Sequence, residues 1–216
     1  MLPVLDLDEL GTLPLATRRR LAGGPSGTVV HEAGHFLAAA KLGVPADLIL
    51  FDWSPEGFQH AVHVREHFRH LWRTDPAARL SMLAAGYAAE LLVFGEALLN
   101  RAESDLMSAA AVLGHDGTFD LEQDGRGLVA ELRARDPFGP EDAAAVVDLH
   151  NWLAMAINAE GGPDGAFAIP YHRLPIRFRR RVPFLRRVRS YWTSQSREHA
   201  LAVRDRLVAG RVVSGG

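Results

Sequence analysis

Residues 28–44, TVVHEAGHFLAAAKLGV, decide how this chain is read. They contain His31-Glu32-Ala33-Gly34-His35, a His-Glu-x-x-His motif inside an apolar, alanine-rich run. On an α-helix, residues four apart share a face, one turn above each other. Both imidazoles can therefore reach one metal ion. Glu32 projects from nearly the same side but outside their coordination shell, where it can take a proton from a water beside the ion. Two histidines that hold Zn²⁺ and a neighbouring glutamate base form the working set of a zinc hydrolase. A five-residue pattern also arises by chance, so its context matters.

That context is helical. Gly23-Gly24-Pro25 breaks the chain ahead of the motif, and Ser26 and Thr28 are the expected N-caps. Gly43, with Pro45 just beyond, is the expected stop. Val29, Val30, Phe36, Leu37 and Leu42 supply an apolar surface. Gly34, in mid-helix, costs about 1 kcal/mol relative to alanine. That cost is tolerable where another backbone, or a substrate, must come close.

The chain has 216 residues, enough for one domain or one domain with an appendage, and is 48% hydrophobic. It has no cysteine, which excludes disulfides and thiolate ligands. Any metal must be held by histidine and carboxylate, a donor set that suits a catalytic zinc site. No stretch of 18 uninterrupted apolar residues is present, so no transmembrane helix is expected. The acidic start, MLPVLDLDELG, lacks the features of a signal peptide. A soluble, cytoplasmic protein is the expectation.

The net charge of −2 hides an asymmetry. From Arg173 onward there are 12 arginines against Glu198 and Asp205. Such a block can mark a surface for nucleic acid or anionic membrane. Pairing with the acidic part of the same chain is favoured, because Val182, Phe184, Leu185, Val188 and Trp192 interleave with the arginines and need a surface to bury against.

Residues 1–24 read as a lead-in, with a brief helix ending near Arg18-Arg19-Arg20. Residues 47–53 and 58–64 flank a Ser-Pro-Glu-Gly turn and predict a β-hairpin, either strand of which is a candidate to hold an extended substrate. His60, His63, His67 and His70 invite a second metal site, but no carboxylate pattern completes it, and packing or solvated histidines are favoured. Asp75-Pro76 opens a long apolar helix that runs to Gly95. Glu90 lies within it, either on a solvent edge or as a partner for a ligand imidazole. Asp105 and Glu103 are both candidates for a third metal ligand, although Ser104 or Asp105 could simply cap a helix. Residues 120–131 imitate a calcium loop imperfectly, and an acidic surface loop is favoured. Residues 141–160 form a further helix, followed by a glycine-rich linker at 161–165.

Taken together, the motif, Gly86-Tyr87-Ala88-Ala89-Glu90 with Gly95 closing that helix, and Glu103-Ser104-Asp105-Leu106 resemble the FtsH-type zinc metallopeptidases. These are the proteolytic domains of membrane-bound, ATP-dependent proteases. The resemblance covers roughly residues 28–113. It implies that Asp105 is the third zinc ligand and that Glu90 supports the site from behind. Asn100-Arg101-Ala102-Glu103 stands where the family has Thr-Gly-Ala-Ser. A phosphate-binding Gly-x-x-x-x-Gly-Lys loop is absent from these 216 residues, so no ATPase module is expected within them.

The expected fold is therefore mainly α with a small β-hairpin or sheet, a zincin-like metallopeptidase domain over residues 1–165. A basic segment, 166–216, is packed on it or appended to it. The expected activity is zinc-dependent hydrolysis of peptide bonds in peptides or unfolded proteins, with His31, His35 and Asp105 on the metal and Glu32 as general base. The alternative is a non-catalytic interaction protein of the same fold that binds a partner or anionic ligand through the arginine-rich segment.

Overall fold

Residues 1–43, 46–53, 60–64, 75–115, 119–133, 135–163, 166–170 and 173–179 are described by the computed structural model. Two short helices lead to the motif. In α1 (Leu7–Thr12), the Asp6 side chain accepts from the backbone N–H groups of Asp8 and Glu9, satisfying donors that the first turn leaves unpaired. Next is α2 (Leu15–Gly23), a brief helix as expected, although the arginine triplet lies at its middle and the helix runs on to Gly23.

The motif helix, α3 (Pro25–Lys41), starts earlier than its expected caps. Gly24 is the N-cap and Pro25 takes the first helical position, where its missing N–H costs nothing. Ser26 and Thr28 therefore lie inside the helix, and both are buried. The stop falls where it was expected, with Gly43 at φ +70°. From Ser26 to Ala40 every residue of α3 is buried. A helix enclosed on all sides belongs to a core.

A three-stranded antiparallel sheet follows, with β1 (Ala46–Asp52) between β2 (Ala61–Val64) and β3 (Ala166–Pro170). Leu50 is in register with Ala61 on one side and Ala168 on the other. The hairpin was legible in the sequence; β3 was not. Because both edges of β1 are paired, it cannot take an extended peptide. Among the described residues β2, which packs against α3, keeps an open edge.

The long apolar helix is α4 (Pro76–Phe94), capped by the Asp75 side chain and ended by Gly95 at φ +72°. By length and composition it could cross a membrane, but just over half of its apolar window is buried inside this fold. It lies directly on α3. A Cβ built on Gly34 would stand 2.5 Å from the Ala85 carbonyl oxygen and 2.6 Å from the Ala89 Cβ. The close backbone that justifies this glycine is thus α4.

Then come α5 (Glu103–Leu113), α6 (Leu121–Arg133), a 3-10 turn at Pro140–Asp142, α7 (Ala143–Ala159) and the short α8 (Ile176–Arg179). Residues 120–131 are neither a calcium loop nor a surface loop. Asp120 Oδ1 accepts from the N–H groups of Glu122 and Gln123 at the start of α6, and Glu122 and Asp124 face solvent. Carboxylates two apart serve a helix start as readily as an ion-binding loop.

The larger core cluster joins α3, α7 and the sheet through residues such as Val30, Phe36, Ile49, Phe51, Leu149 and Leu153. A smaller one joins α4, α5 and α6 through Leu80, Leu106, Leu128 and Leu132. Each such side chain contributes about 1.5–3 kcal/mol when fully buried. Leu174 and Phe178 also belong to the larger cluster, while Arg173 and Arg177 pair with Glu160 and Asp148 on the surface of α7. The rest of the arginine-rich segment, from Arg180, lies outside the described residues, as do His67 and His70.

Candidate metal centre

On α3 the motif spacing does what helix geometry requires. The His31 and His35 rings lie one turn apart, their centroids 4.8 Å from each other. The first turn of α5 brings Asp105 to them. Its Oδ2 lies 3.0 Å from Nε2 of His31 and 3.0 Å from Nε2 of His35, and the two Nε2 atoms are 3.1 Å apart. Among the described residues, His31, His35 and Asp105 form a group that could hold a metal ion. Glu103, the rival third ligand, is exposed and outside this group.

The outer ring nitrogens fix the tautomers. His35 Nδ1 lies 2.8 Å from the Met82 carbonyl oxygen. A carbonyl only accepts, so Nδ1 carries the hydrogen and neutral His35 has its lone pair on Nε2. His31 Nδ1 lies 2.8 Å from Glu90 Oε1, and the same reasoning applies. Two lone pairs and a carboxylate oxygen then face one another with no donor between them. A positive centre is needed to reconcile them.

A proton or a metal ion meets that need. Burial works against a charged imidazole at His31, but Asp105 and Glu90 outweigh it and raise its pKa to about 10. His35 is raised as well: burial opposes, and the Asp105 charge prevails. Burial would lift Asp105, yet the two histidines hold it well below the usual carboxylate range. The donors also fit an ion. Around a tetrahedral centre with bonds of ~2.0–2.2 Å, donor atoms sit roughly 3.3–3.6 Å apart. The separations here are a few tenths of an ångström shorter, so one ion is accommodated by small outward shifts.

Glu32 is buried beside this group but is not part of it. Among the described residues its Oε2 has no hydrogen-bond partner. Burial raises its pKa above the ordinary value, with His35 and His31 pulling the other way.

Glu90 is fully buried, which removes the solvent-edge reading. Its Oε1 takes His31, and its Oε2 accepts from the Arg101 guanidinium at 2.8 Å and from the Leu98 N–H at 3.3 Å. His60 belongs elsewhere. Its Nδ1 accepts from the Asp52 N–H at 3.3 Å, and its ring packs against Trp53. Burial, then the charges of Arg101 and His31, lower its pKa to about 4.

The roles of three contributors escaped the sequence reading. The Met82 carbonyl carries no side-chain signal. Gly86 lies four residues before Glu90, and a Cβ there would stand 2.3 Å from His31 Nε2. A glycine in mid-helix at that spacing was the available clue. Arg101 is reached only through long-range contacts.

Compared with family models, with curated proteins and with solved structures, the chain finds no match in any of the three.

Proposed function

We propose that the protein is a zinc-dependent metallopeptidase of zincin-like fold, hydrolysing peptide bonds in peptides or unfolded proteins. The observation that carries this reading is the convergence of His31 Nε2, His35 Nε2 and Asp105 Oδ2 beside a buried, unpartnered Glu32 oxygen. The motif order shared with FtsH-type peptidases points the same way. A donor set of two imidazoles and one carboxylate, without sulfur, suits Zn²⁺ in a catalytic rather than a structural role.

His31, His35 and Asp105 would hold the ion. Bound there, Zn²⁺ supplies Lewis acidity, which acidifies water and polarises the scissile carbonyl. Glu32 takes the proton of the attacking water as the new C–O bond forms. As the C–N bond breaks, Glu32 returns that proton to the leaving amine. Its burial strengthens it as a base, because a raised pKa increases its affinity for the proton. Met82 and Glu90 keep both imidazoles in the tautomer that presents Nε2. The edge of β2 left open among the described residues offers main-chain hydrogen bonds to an extended substrate. The substrates of this reading are peptides that are short or already unfolded.

Metal analysis of the purified protein, paired with an assay on a labelled unfolded protein, tests the proposal. The expected result is one zinc per chain and cleavage abolished by a chelator. Stoichiometric zinc without cleavage would favour the non-catalytic interaction protein. Absence of any bound metal would reject both the cofactor and the chemistry.

A further inference from the structure

We propose that Arg101 is a positioning residue for the metal centre, fixing through Glu90 both the His31 imidazole and the segment that delivers Asp105. The proposal rests on the metal reading above and concerns a residue at which this chain departs from the FtsH-type pattern.

Arg101 lies between α4 and α5. One guanidinium nitrogen donates to Glu90 Oε2 at 2.8 Å, and another donates to the carbonyl of Gly24, the N-cap of α3, at 3.3 Å. The side chain is only 12% exposed, and that of Glu90 is fully buried. Glu90 divides its two oxygens between two tasks. Oε1 orients the ring of His31, while Oε2 receives Arg101 and the N–H of Leu98. Both donors on Oε2 come from residues 98–101, the stretch that runs directly into α5. Asp105 sits in the first turn of that helix. One buried carboxylate therefore joins the first histidine ligand to the segment carrying the third ligand.

The surrounding backbone makes room for the guanidinium. A Cβ on Gly27 would stand 2.5 Å from the Arg101 Nη1 atom and 1.9 Å from the Ala22 carbonyl oxygen. The planar fork also matters. It reaches Glu90 and the Gly24 carbonyl together, whereas lysine presents a single point charge on a flexible stem.

The sign of the effect discriminates between roles. As a bare charge, Arg101 repels a divalent cation, and its removal would tighten metal binding. As a positioning residue, its removal lets Asp105 and His31 drift from the ion and weakens binding. Losing an outer partner of a ligand typically costs 10–100-fold in metal affinity.

The test measures Zn²⁺ affinity by chelator competition and the visible spectrum of the Co²⁺-loaded protein, below the melting temperature of each variant. Arg101→Met is expected to bind Zn²⁺ about 10–100-fold more weakly and to lose intensity in the Co²⁺ bands as the ligand set distorts. Arg101→Lys should recover part of both. Because Arg101 acts through Glu90, Glu90→Gln and Glu90→Gln/Arg101→Met should bind Zn²⁺ equally. Unchanged or tighter binding by Arg101→Met would overturn the proposal, as would additive losses in the double variant. If Arg101→Met does not fold, Arg101→Lys is decisive, and full wild-type affinity and spectrum there reject the positioning role. If the wild type itself binds neither Zn²⁺ nor Co²⁺, the metal reading has failed first.

Discussion

Helices α3 and α7 are each 17 residues long, each is packed in the main core, and each buries histidine. They use it differently. His150 on α7 is fully buried; its Nδ1 bonds Asn151 Oδ1 at 3.0 Å, and its Nε2 finds no partner among the described residues. The polar face of α7 instead ties down the start of the chain. The Asn151 amide takes the N–H and gives to the carbonyl of Leu5, both at 2.7 Å, and Asn158 does the same for Leu2 at 2.8 Å. On α3 the outer histidine nitrogens are satisfied, and the inner ones meet a carboxylate. Burial pushes His31 and His150 in the same direction, yet one ends at about 10 and the other at about 4. The difference lies in the carboxylates that face His31. Burial alone does not make a histidine a candidate ligand; convergence with other donor atoms does.

The largest expected effect breaks the chemistry and spares the metal. Glu32→Gln keeps the volume and the buried position but cannot accept the water's proton. Hydrolysis should fall by about 10²–10⁴. Zinc content should stay at the wild-type level, because Glu32 is not one of the three donors. Metal analysis and the peptidase assay on one preparation check both halves. If zinc is lost together with activity, Glu32 belongs to the coordination shell, and its separation from the ligands is wrong.

A smaller effect sharpens the contrast from the α7 side. His150 has a folded-state pKa of about 4 against an ordinary value of 6.5, because burial penalises its charged form while Asn151 only partly opposes. Between those values the unfolded chain binds the proton and the folded chain does not. Stability from this residue is therefore complete above pH 6.5 and is lost as pH falls toward 4. The displacement corresponds to a contribution on the order of 3 kcal/mol. His150→Leu should flatten this part of the pH–stability profile without lowering stability at pH 7 comparably, since it also removes an unpartnered buried nitrogen. Denaturant melts of both proteins at pH 7, 6, 5 and 4 make the comparison. Parallel profiles would show that His150 does not carry the acid sensitivity.

The two helices were not equally legible in the sequence. On α3, local pattern sufficed: the motif fixed which residues share a face, and Gly43 fixed the end. Its start was misread, because Ser26 and Thr28 are good caps by side chain, whereas Pro25 already sets a helical first position. The Asp75 cap, the Gly95 stop and the β1–β2 hairpin were readable for the same local reasons. β3 was hidden, since Ala166–Pro170 becomes a strand by pairing with β1, over a hundred residues earlier in the chain. Asp105 was separable from Glu103 by family pattern, not by spacing. Arg101 and the Met82 carbonyl remained invisible because each acts across two elements that only the fold brings together. The resemblance named three residues that the fold brings together, and the long-range contacts explain how they are held.

Gly86 makes the last and smallest test, because one methyl group separates a packing glycine from a dispensable one. On α4 a Cβ at residue 86 would lie 2.3 Å from His31 Nε2 and 2.5 Å from both neighbouring ring carbons. Those atoms cannot swing aside as the tip of an exposed side chain would. The His31 ring is buried, and Glu90 holds its far nitrogen. Gly86→Ala must therefore displace the imidazole or part α3 from α4, an overpacking that typically costs about 1–3 kcal/mol. Displacing a ligand ring should also weaken zinc binding by at least the 10–100-fold typical of losing its support. Gly127 supplies the control. It too lies within a helix, α6, but among the described residues nothing stands within 4 Å of its hypothetical Cβ. Gly127→Ala should leave zinc affinity unchanged and add about 0.5–1 kcal/mol of stability, through helix propensity and a less flexible unfolded chain. Zinc titrations and melts of the two variants read both quantities. Equal zinc affinities would mean that the His31 ring can move without cost to the metal, and the tight seat between α3 and α4 would lose its functional meaning.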